Sequence, residues 1–186
     1  MLNKYNAVRN TMMMALLLTG AAAFAQTTAT GVINATLVNK NGIALVFDTD
    51  PGGVALGANG TSAASANYGN ISAFGPLSAG VTRPSVTAAN YTVRTVFDVQ
   101  VVEGGLTSPN YTLTANLAAV APTGFTYKVD AVTLTTVAQT ISTTGAYNAD
   151  VAHNLDLVVS TAAPGAGGPA VGTPLTATIN FTATAN

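Results

Sequence analysis

The sequence offers few side chains that could carry out chemistry, and its one histidine is the first to consider. His153 lies near Asp150 and Asp156 in a segment with the pattern of a β-strand. A histidine beside a carboxylate could activate a serine, but no nucleophile-elbow motif surrounds any serine. The chain has no cysteine, and one imidazole without a thiol cannot supply a usual zinc site. We therefore predict that the protein is not an enzyme and that His153 is a surface residue.

Two acidic residues are the best candidates for binding a metal ion. Asp48 and Asp50 stand in the segment Asp-Thr-Asp-Pro-Gly-Gly, and their carboxylates could contribute oxygens to calcium. The twelfth position of the corresponding loop is Asn59, where an EF-hand has its closing Glu. The same segment is also a good turn sequence. We predict a turn, no metal and no cofactor, with Asp48 and Asp50 as the only candidate ligands.

Exposed aromatic side chains could bind carbohydrate by stacking. The chain has no Trp, and most of its aromatic residues fall on the apolar side of predicted strands. Tyr68 and Phe74, in an irregular region, are the best exposed candidates. This keeps a second class open, a monomeric extracellular module that binds carbohydrate or another ligand.

The composition excludes some partners and indicates the fold class. Charged residues make up 7% of the chain, whereas about 25% is typical. A chain so poor in Lys and Arg lacks the basic surface that binding to nucleic acid or to anionic lipid requires. The polar positions are filled largely by Thr, which is β-branched and suits the solvent face of a sheet. We therefore expect an all-β protein.

The first 25 residues have the three parts of an export signal. Lys4 and Arg9 are basic, an apolar run from Thr11 to Ala23 follows, and Ala23-Phe24-Ala25 provides a cleavage site. The apolar run is shorter than the roughly 20 residues that span a membrane. We predict a cleaved signal at 1–25, one domain at 26–186, no membrane span after cleavage, and export to the periplasm, the cell surface or the medium.

Alternation of apolar and polar residues predicts the strands. The period of two is clearest in the last eleven-residue stretch, Leu175 to Ala185, and in the long run from Asn90 to Val101. A hairpin is predicted from Gly31–Val38 and Ile43–Asp48 around an Asn-Lys-Asn-Gly turn. Further strands are predicted at 110–118, 125–129, 132–137, 140–143 and 151–160, with short strands at 54–56 and 68–72 in an irregular region. This pattern predicts an antiparallel β-sandwich, either Ig-like with Greek-key connections or a jelly roll.

The signal and the terminal run Pro-Leu-Thr-Ala-Thr-Ile-Asn-Phe-Thr-Ala-Thr-Ala-Asn resemble secreted bacterial surface and fibre subunits of the pilin-like or spore-coat-U-like kind. The resemblance implies a sandwich that is closed by its alternating last strand. This chain lacks the cysteine pair common in those families, which leaves assembly by donor-strand exchange open.

The terminal strands are the candidate assembly site. The segment from Ile179 to Asn186 combines β propensity with the absence of charge and Pro, a profile that templates strand pairing at a sheet edge. We expect this strand to be central in its sheet or paired with another copy, with Thr27–Val38 as the natural donor. The predicted partners are thus other copies of the chain or other surface proteins. The predicted assembly residues are Ile33, Ala35, Leu37, Leu175, Ile179 and Phe181. The favoured function is that of a structural or adhesive subunit.

Overall fold

The computed structural model describes residues 42–169, 172 and 175–186, and its regular structure is entirely β. The predicted signal and the predicted strand Gly31–Val38, including Ile33, Ala35 and Leu37, lie outside the described residues. The strands are β1 (Gly42–Asp48), β2 (Thr82–Val86), β3 (Asn90–Gly104), β4 (Tyr111–Leu117), β5 (Phe125–Val129), β6 (Val132–Thr133), β7 (Gln139–Gly145), β8 (Asp150–Ser160) and β9 (Ile179–Ala185). In this part of the chain, no helix is long and apolar enough to cross a membrane.

The strands form two antiparallel sheets that pack against each other, so the predicted β-sandwich is confirmed. Among the described residues, the large sheet has six strands in the order β1-β3-β8-β5-β6, and β2 pairs with β3 beyond the end of β1. The small sheet, counted over the same residues, has three strands in the order β7-β4-β9. Its central strand β4 comes directly after β3 in the chain, so the connection from Gly104 to Tyr111 crosses from one sheet to the other.

Alternation along each strand decides which side chains enter the core. In β3 the odd-numbered residues from Val93 to Val101 are buried, and the even-numbered residues are half-buried or exposed. In β4 the inward residues Tyr111, Leu113, Ala115 and Leu117 are all buried. These faces are the predicted ones, because a strand with a single apolar side can bury only that side.

Three phenylalanine rings join the two sheets at one side of the sandwich. Phe47 of β1 and Phe97 of β3 belong to the large sheet, and Phe181 of β9 belongs to the small sheet. The ring centroids of Phe181 lie 5.3 Å from Phe47 and 5.7 Å from Phe97, both in edge-to-face geometry. Pairs of this kind stabilise a core beyond the area that they bury. Phe181 therefore holds β9 against the large sheet.

The irregular region between β1 and β2 differs from the prediction. The short strands predicted at 54–56 and 68–72 are wrong, because only isolated bridges occur before β2. Val54 and Val81 nevertheless reach the core. The N–H of Val54 donates to Thr95 Oγ1 (2.9 Å), and that hydroxyl donates to Gly80 O (3.0 Å). A buried Thr side chain thus satisfies backbone groups that a sheet ladder would otherwise satisfy.

The last strand and the first turn also have different bounds. The last strand begins at Ile179, and Leu175 precedes it in irregular structure although its side chain still packs against the core. Gly42, predicted as the end of a turn, is the first residue of β1 and pairs with Gly104. The other residues of that turn lie outside the described part.

Candidate functional site

His153 is a core residue, so its predicted surface position is wrong. Its side chain is only 4% exposed, on the inward side of β8 and 6.0 Å from the ring centre of Phe97. Nδ1 lies 2.6 Å from Asp130 Oδ2, and Nε2 is buried with no hydrogen-bond partner among the described residues. The prediction failed because Asp130 lies 23 residues away in sequence, and only the pairing of β5 with β8 brings it to the imidazole.

The side chain of Asp130 bonds to β8 and thereby stabilises the strained turn between β5 and β6. Asp130 and Ala131 form the two-residue connection between β5 and β6, with φ angles of 48° and 68°. Both values lie in the left-handed region that a tight hairpin of this kind requires. The Asp130 carboxylate accepts the N–H of Asn154 (2.8 Å) through Oδ1 while Oδ2 contacts His153. The aspartate and the histidine together therefore anchor a hairpin.

The candidate metal ligands Asp48 and Asp50 lie in a group of carboxylates at the end of β1. Asp48 pairs with Asp98 across the β1–β3 ladder, while Asp50 Oδ1 accepts the N–H of Gly52 (2.6 Å), as expected for a turn. Burial, and then the negative charges of Asp50, Asp150 and Asp48, raise the pKa of Asp98. Within the described residues, no group of three or more His, Asp or Glu side chains is placed to hold a metal ion.

Asp156 is paired with arginine. Its side chain lies on the outer phase of β8, yet Asp156 is buried (5% exposed). Arg94 of β3 stands directly opposite and donates to both carboxylate oxygens, at 2.6 and 2.8 Å. This bidentate pair raises the pKa of the Arg94 guanidinium. The pair links two neighbouring strands of the large sheet.

The two aromatic residues predicted to be exposed behave differently. Phe74 is 80% exposed, as predicted. Tyr68 is half-buried and packs against the core, and its hydroxyl donates to Leu155 O (2.7 Å), so its predicted exposure is wrong. Burial, with the charge of Asp156 as a smaller cause, raises the pKa of Tyr68 far above its ordinary value.

Two clefts flank the connection between β4 and β5. Their volumes are about 230 and 240 Å³, and both are lined by Leu117, Val120 and Ala121. Val120 is 82% exposed, which is unusual for a large aliphatic side chain. The rest of each lining is mixed, with threonine hydroxyls beside apolar groups.

The outer edge of β9 is the most distinctive feature of the structure. β9 pairs with β4 along its whole length, from Ile179 opposite Leu117 to Ala185 opposite Tyr111. Within the described residues β9 has no second neighbouring strand. We call the side of β9 that faces away from β4 the free edge.

The free edge presents backbone groups that are ready to pair. Asn186 N–H donates to Asn110 O (3.1 Å) and Ala118 N–H donates to Thr178 O (2.9 Å), so the even-numbered residues of this segment bond to β4. Along a β-strand, the N–H and C=O groups of successive residues point alternately to the two neighbouring sides of the strand. The groups that point to the free edge are therefore those of the odd-numbered residues. No backbone hydrogen bond from elsewhere in the described chain reaches these groups, which belong to Ile179, Phe181, Ala183 and Ala185.

The small sheet has no charged side chain on any of its three strands. Its outer face is built from hydroxyl and amide side chains that stand in cross-strand pairs. These pairs are Thr112 with Thr184, Thr114 with Thr182, and Asn116 with Asn180. An edge strand is ordinarily protected by charge, Pro or a bulge, and β9 has neither charge nor Pro.

The other strand at this side of the sandwich, β1, is partly covered. The N–H of Phe47 donates to Thr61 O and Gly60 N–H donates to Phe47 O, both at 2.9 Å. A loop therefore already occupies the outer backbone groups of β1 at Phe47. Of the predicted assembly residues, Ile179 and Phe181 lie on the strand with the free edge, and Leu175 lies before it.

Comparison with protein-family models, with curated proteins and with solved structures found no match.

Proposed function

We propose that this protein is a secreted or cell-surface structural or adhesive subunit that self-associates by strand pairing at the free edge of β9. The observation that carries the proposal is the seven-residue, charge-free edge strand whose outward N–H and C=O groups have no backbone partner in the described chain. Such an edge is a template for another strand, and natural proteins usually block one that is not used.

The two pairs of oppositely charged or hydrogen-bonded side chains in the large sheet agree with a structural role. The His153–Asp130 and Arg94–Asp156 pairs both tie strands of the large sheet together. The export that the proposal requires is supported by the basic, apolar and small-residue pattern of residues 1–25.

The first experiment blocks the free edge without touching the β4–β9 ladder. The N–H of Ala183 points to the free edge, so Ala183→Pro removes no hydrogen bond to β4, and edge strands tolerate Pro at such positions. Sedimentation velocity of residues 26–186 over a range of concentrations should give concentration-dependent oligomers for the parent chain and monomer for Ala183→Pro.

A matched control is Ala138→Pro, which changes an exposed alanine between β6 and β7. This variant should associate like the parent. The proposal fails if the parent chain is monomeric at every concentration, or if Ala183→Pro keeps its fold by circular dichroism and still associates.

A second candidate function is a monomeric module that binds carbohydrate or another ligand. It is favoured by the exposed Phe74 and by the two clefts beside Val120. A glycan array probed with the parent chain, Phe74→Ala and Val120→Ser would test it. Binding by the parent that either substitution abolishes would favour this function.

A further inference from the structure

We propose that the strand that pairs with the free edge is β9 of a second copy, in an antiparallel arrangement about a two-fold axis at Thr182. The two small sheets would then join into one continuous sheet across the axis. This inference rests on the proposed function and names the partner at the same edge.

The backbone of β9 can pair with itself in this register. Centring the axis at Thr182 places Phe181 opposite Ala183 of the second copy, and Ile179 opposite Ala185 of the second copy. All four are odd-numbered residues, whose N–H and C=O groups point to the free edge. Two opposed residues of this kind exchange both N–H···O bonds in an antiparallel ladder. The register therefore satisfies the backbone groups of both free edges at once.

The inward side chains of all four outward-bonding residues are paired, each large one with a small one, in this register. Phe181 meets an alanine and Ile179 meets an alanine, so each large side chain lies beside a small one. An axis at Phe181 would oppose two phenylalanines at the centre of the interface. An axis at Ala183 would leave Ile179 beyond the end of the shared ladder. Large side chains beside small ones pack a core without overfilling it.

The outward side chains and the charge distribution also permit the contact. On the outer face Thr182 meets Thr182 of the second copy, and Asn180 meets Thr184 of the second copy. Hydroxyl and amide pairs across strands are favourable, whereas like charges directly opposite each other are not. Because the strands β4, β7 and β9 carry no charge, the joined sheet brings no like charges together.

A two-fold contact uses the same surface on both copies, so one interface covers both free edges. The competing occupant is the N-terminal segment 27–38 of another copy, which the sequence suggests as a donor. An N-terminal donor would pair one copy's edge with a different segment and leave Thr182 without its counterpart. The two arrangements therefore predict different neighbours for Thr182.

The absence of cysteine from the chain allows a direct test. In the proposed register Thr182 faces itself at a non-hydrogen-bonded position, where Cα atoms are about 4.5 Å apart, within the range of a disulfide. Thr182→Cys in the 26–186 chain should oxidise to a disulfide-linked dimer on a non-reducing gel. The matched control Thr114→Cys changes the threonine that pairs with Thr182 on β4. Its counterpart in the other copy would be about 14 Å away, three strand spacings, so it should give no dimer.

The results of the association and cross-linking experiments together test the β9–β9 pairing and the proposed function separately. A cross-linked Thr182→Cys dimer that is lost when Ala183→Pro is added supports the β9–β9 pairing. If the parent associates but Thr182→Cys does not cross-link, the pairing is wrong and the proposed function stands. If deletion of residues 26–38 also abolishes that association, the N-terminal segment is the partner. If the parent does not associate and Thr182→Cys does not cross-link, both proposals fail.

Discussion

At the scale of single residues, a carboxylate can stabilise or destabilise this fold, depending on its surroundings, as Asp130 and Asp98 show. Asp130 sits in a strained left-handed conformation that costs of the order of 1 kcal/mol. The carboxylate of Asp130 accepts a hydrogen bond from Asn154 N–H and contacts Nδ1 of His153, and these interactions offset that cost. Asp98, in contrast, faces the carboxylates of Asp48, Asp50 and Asp150, and burial and repulsion raise its pKa.

Asp98→Asn should therefore stabilise the protein at neutral pH. The raised pKa means that the folded state holds the Asp98 proton more tightly than the unfolded state. Stability from this site is thus present at low pH and is lost as the pH rises from the unfolded pKa through the raised one. The free energy of unfolding of Asp98→Asn at pH 7 should exceed that of the parent by about 0.5 kcal/mol, as for an exposed charge pair.

Urea denaturation of both proteins between pH 3 and pH 8 would measure the difference. The gap should close toward low pH, where the parent aspartate is protonated, and should shrink with added salt. An Asp98→Asn variant that is less stable than the parent at pH 7 would show that the carboxylate makes a favourable contact instead.

At the scale of elements, the sequence predicts the strands that bury a single face and misses what depends on contacts distant in the chain. The period of two places β4, β5 and β8 within one residue of their observed bounds, and it places the start of β3 correctly but its end three residues early. The region between β1 and β2 was predicted poorly because Val54 and Val81 enter the core from loops, which have no period. The free edge of β9 could not be read from its own residues, since strand order depends on the whole fold.

Gly145, the last residue of β7, illustrates a constraint between elements. It pairs with Tyr111 on β4, and a Cβ placed on it would come within 2.2 Å of the Tyr111 ring. Because Tyr111 is only 1% exposed, the ring has no room to move away. Gly145→Ala should therefore lower the free energy of unfolding by about 1–3 kcal/mol, as overpacking does in other cores.

The control for this substitution is Gly42→Ala in β1, where a Cβ meets nothing within 4 Å. Urea unfolding should place this variant within about 0.5 kcal/mol of the parent. If Gly145→Ala and Gly42→Ala were equally stable, the close contact between Gly145 and Tyr111 would not exist in solution.

At the scale of the whole molecule, charge is divided unequally between the two sheets. The strands of the large sheet carry the Arg94–Asp156 pair, Lys128 and the carboxylates of Asp48, Asp98 and Asp150, while the strands of the small sheet carry no charge. Net charge keeps proteins apart, and a neutral face with an open edge lacks that protection. Association should therefore occur through the small sheet, which contains the free edge.

Association of folded chains should make thermal stability depend on concentration. A partner that binds only the folded state adds to the free energy of unfolding as its concentration rises. A tenfold increase in concentration should raise the melting temperature of the parent chain by roughly 2–3 °C for a domain of this size. Calorimetry of the 26–186 chain at concentrations a hundredfold apart would measure the shift. Ala183→Pro should melt at one temperature across that range, because its free edge no longer pairs, while Ala138→Pro should follow the parent. A parent melting temperature that does not change with concentration would mean that the edge of β9 stays unpaired between molecules.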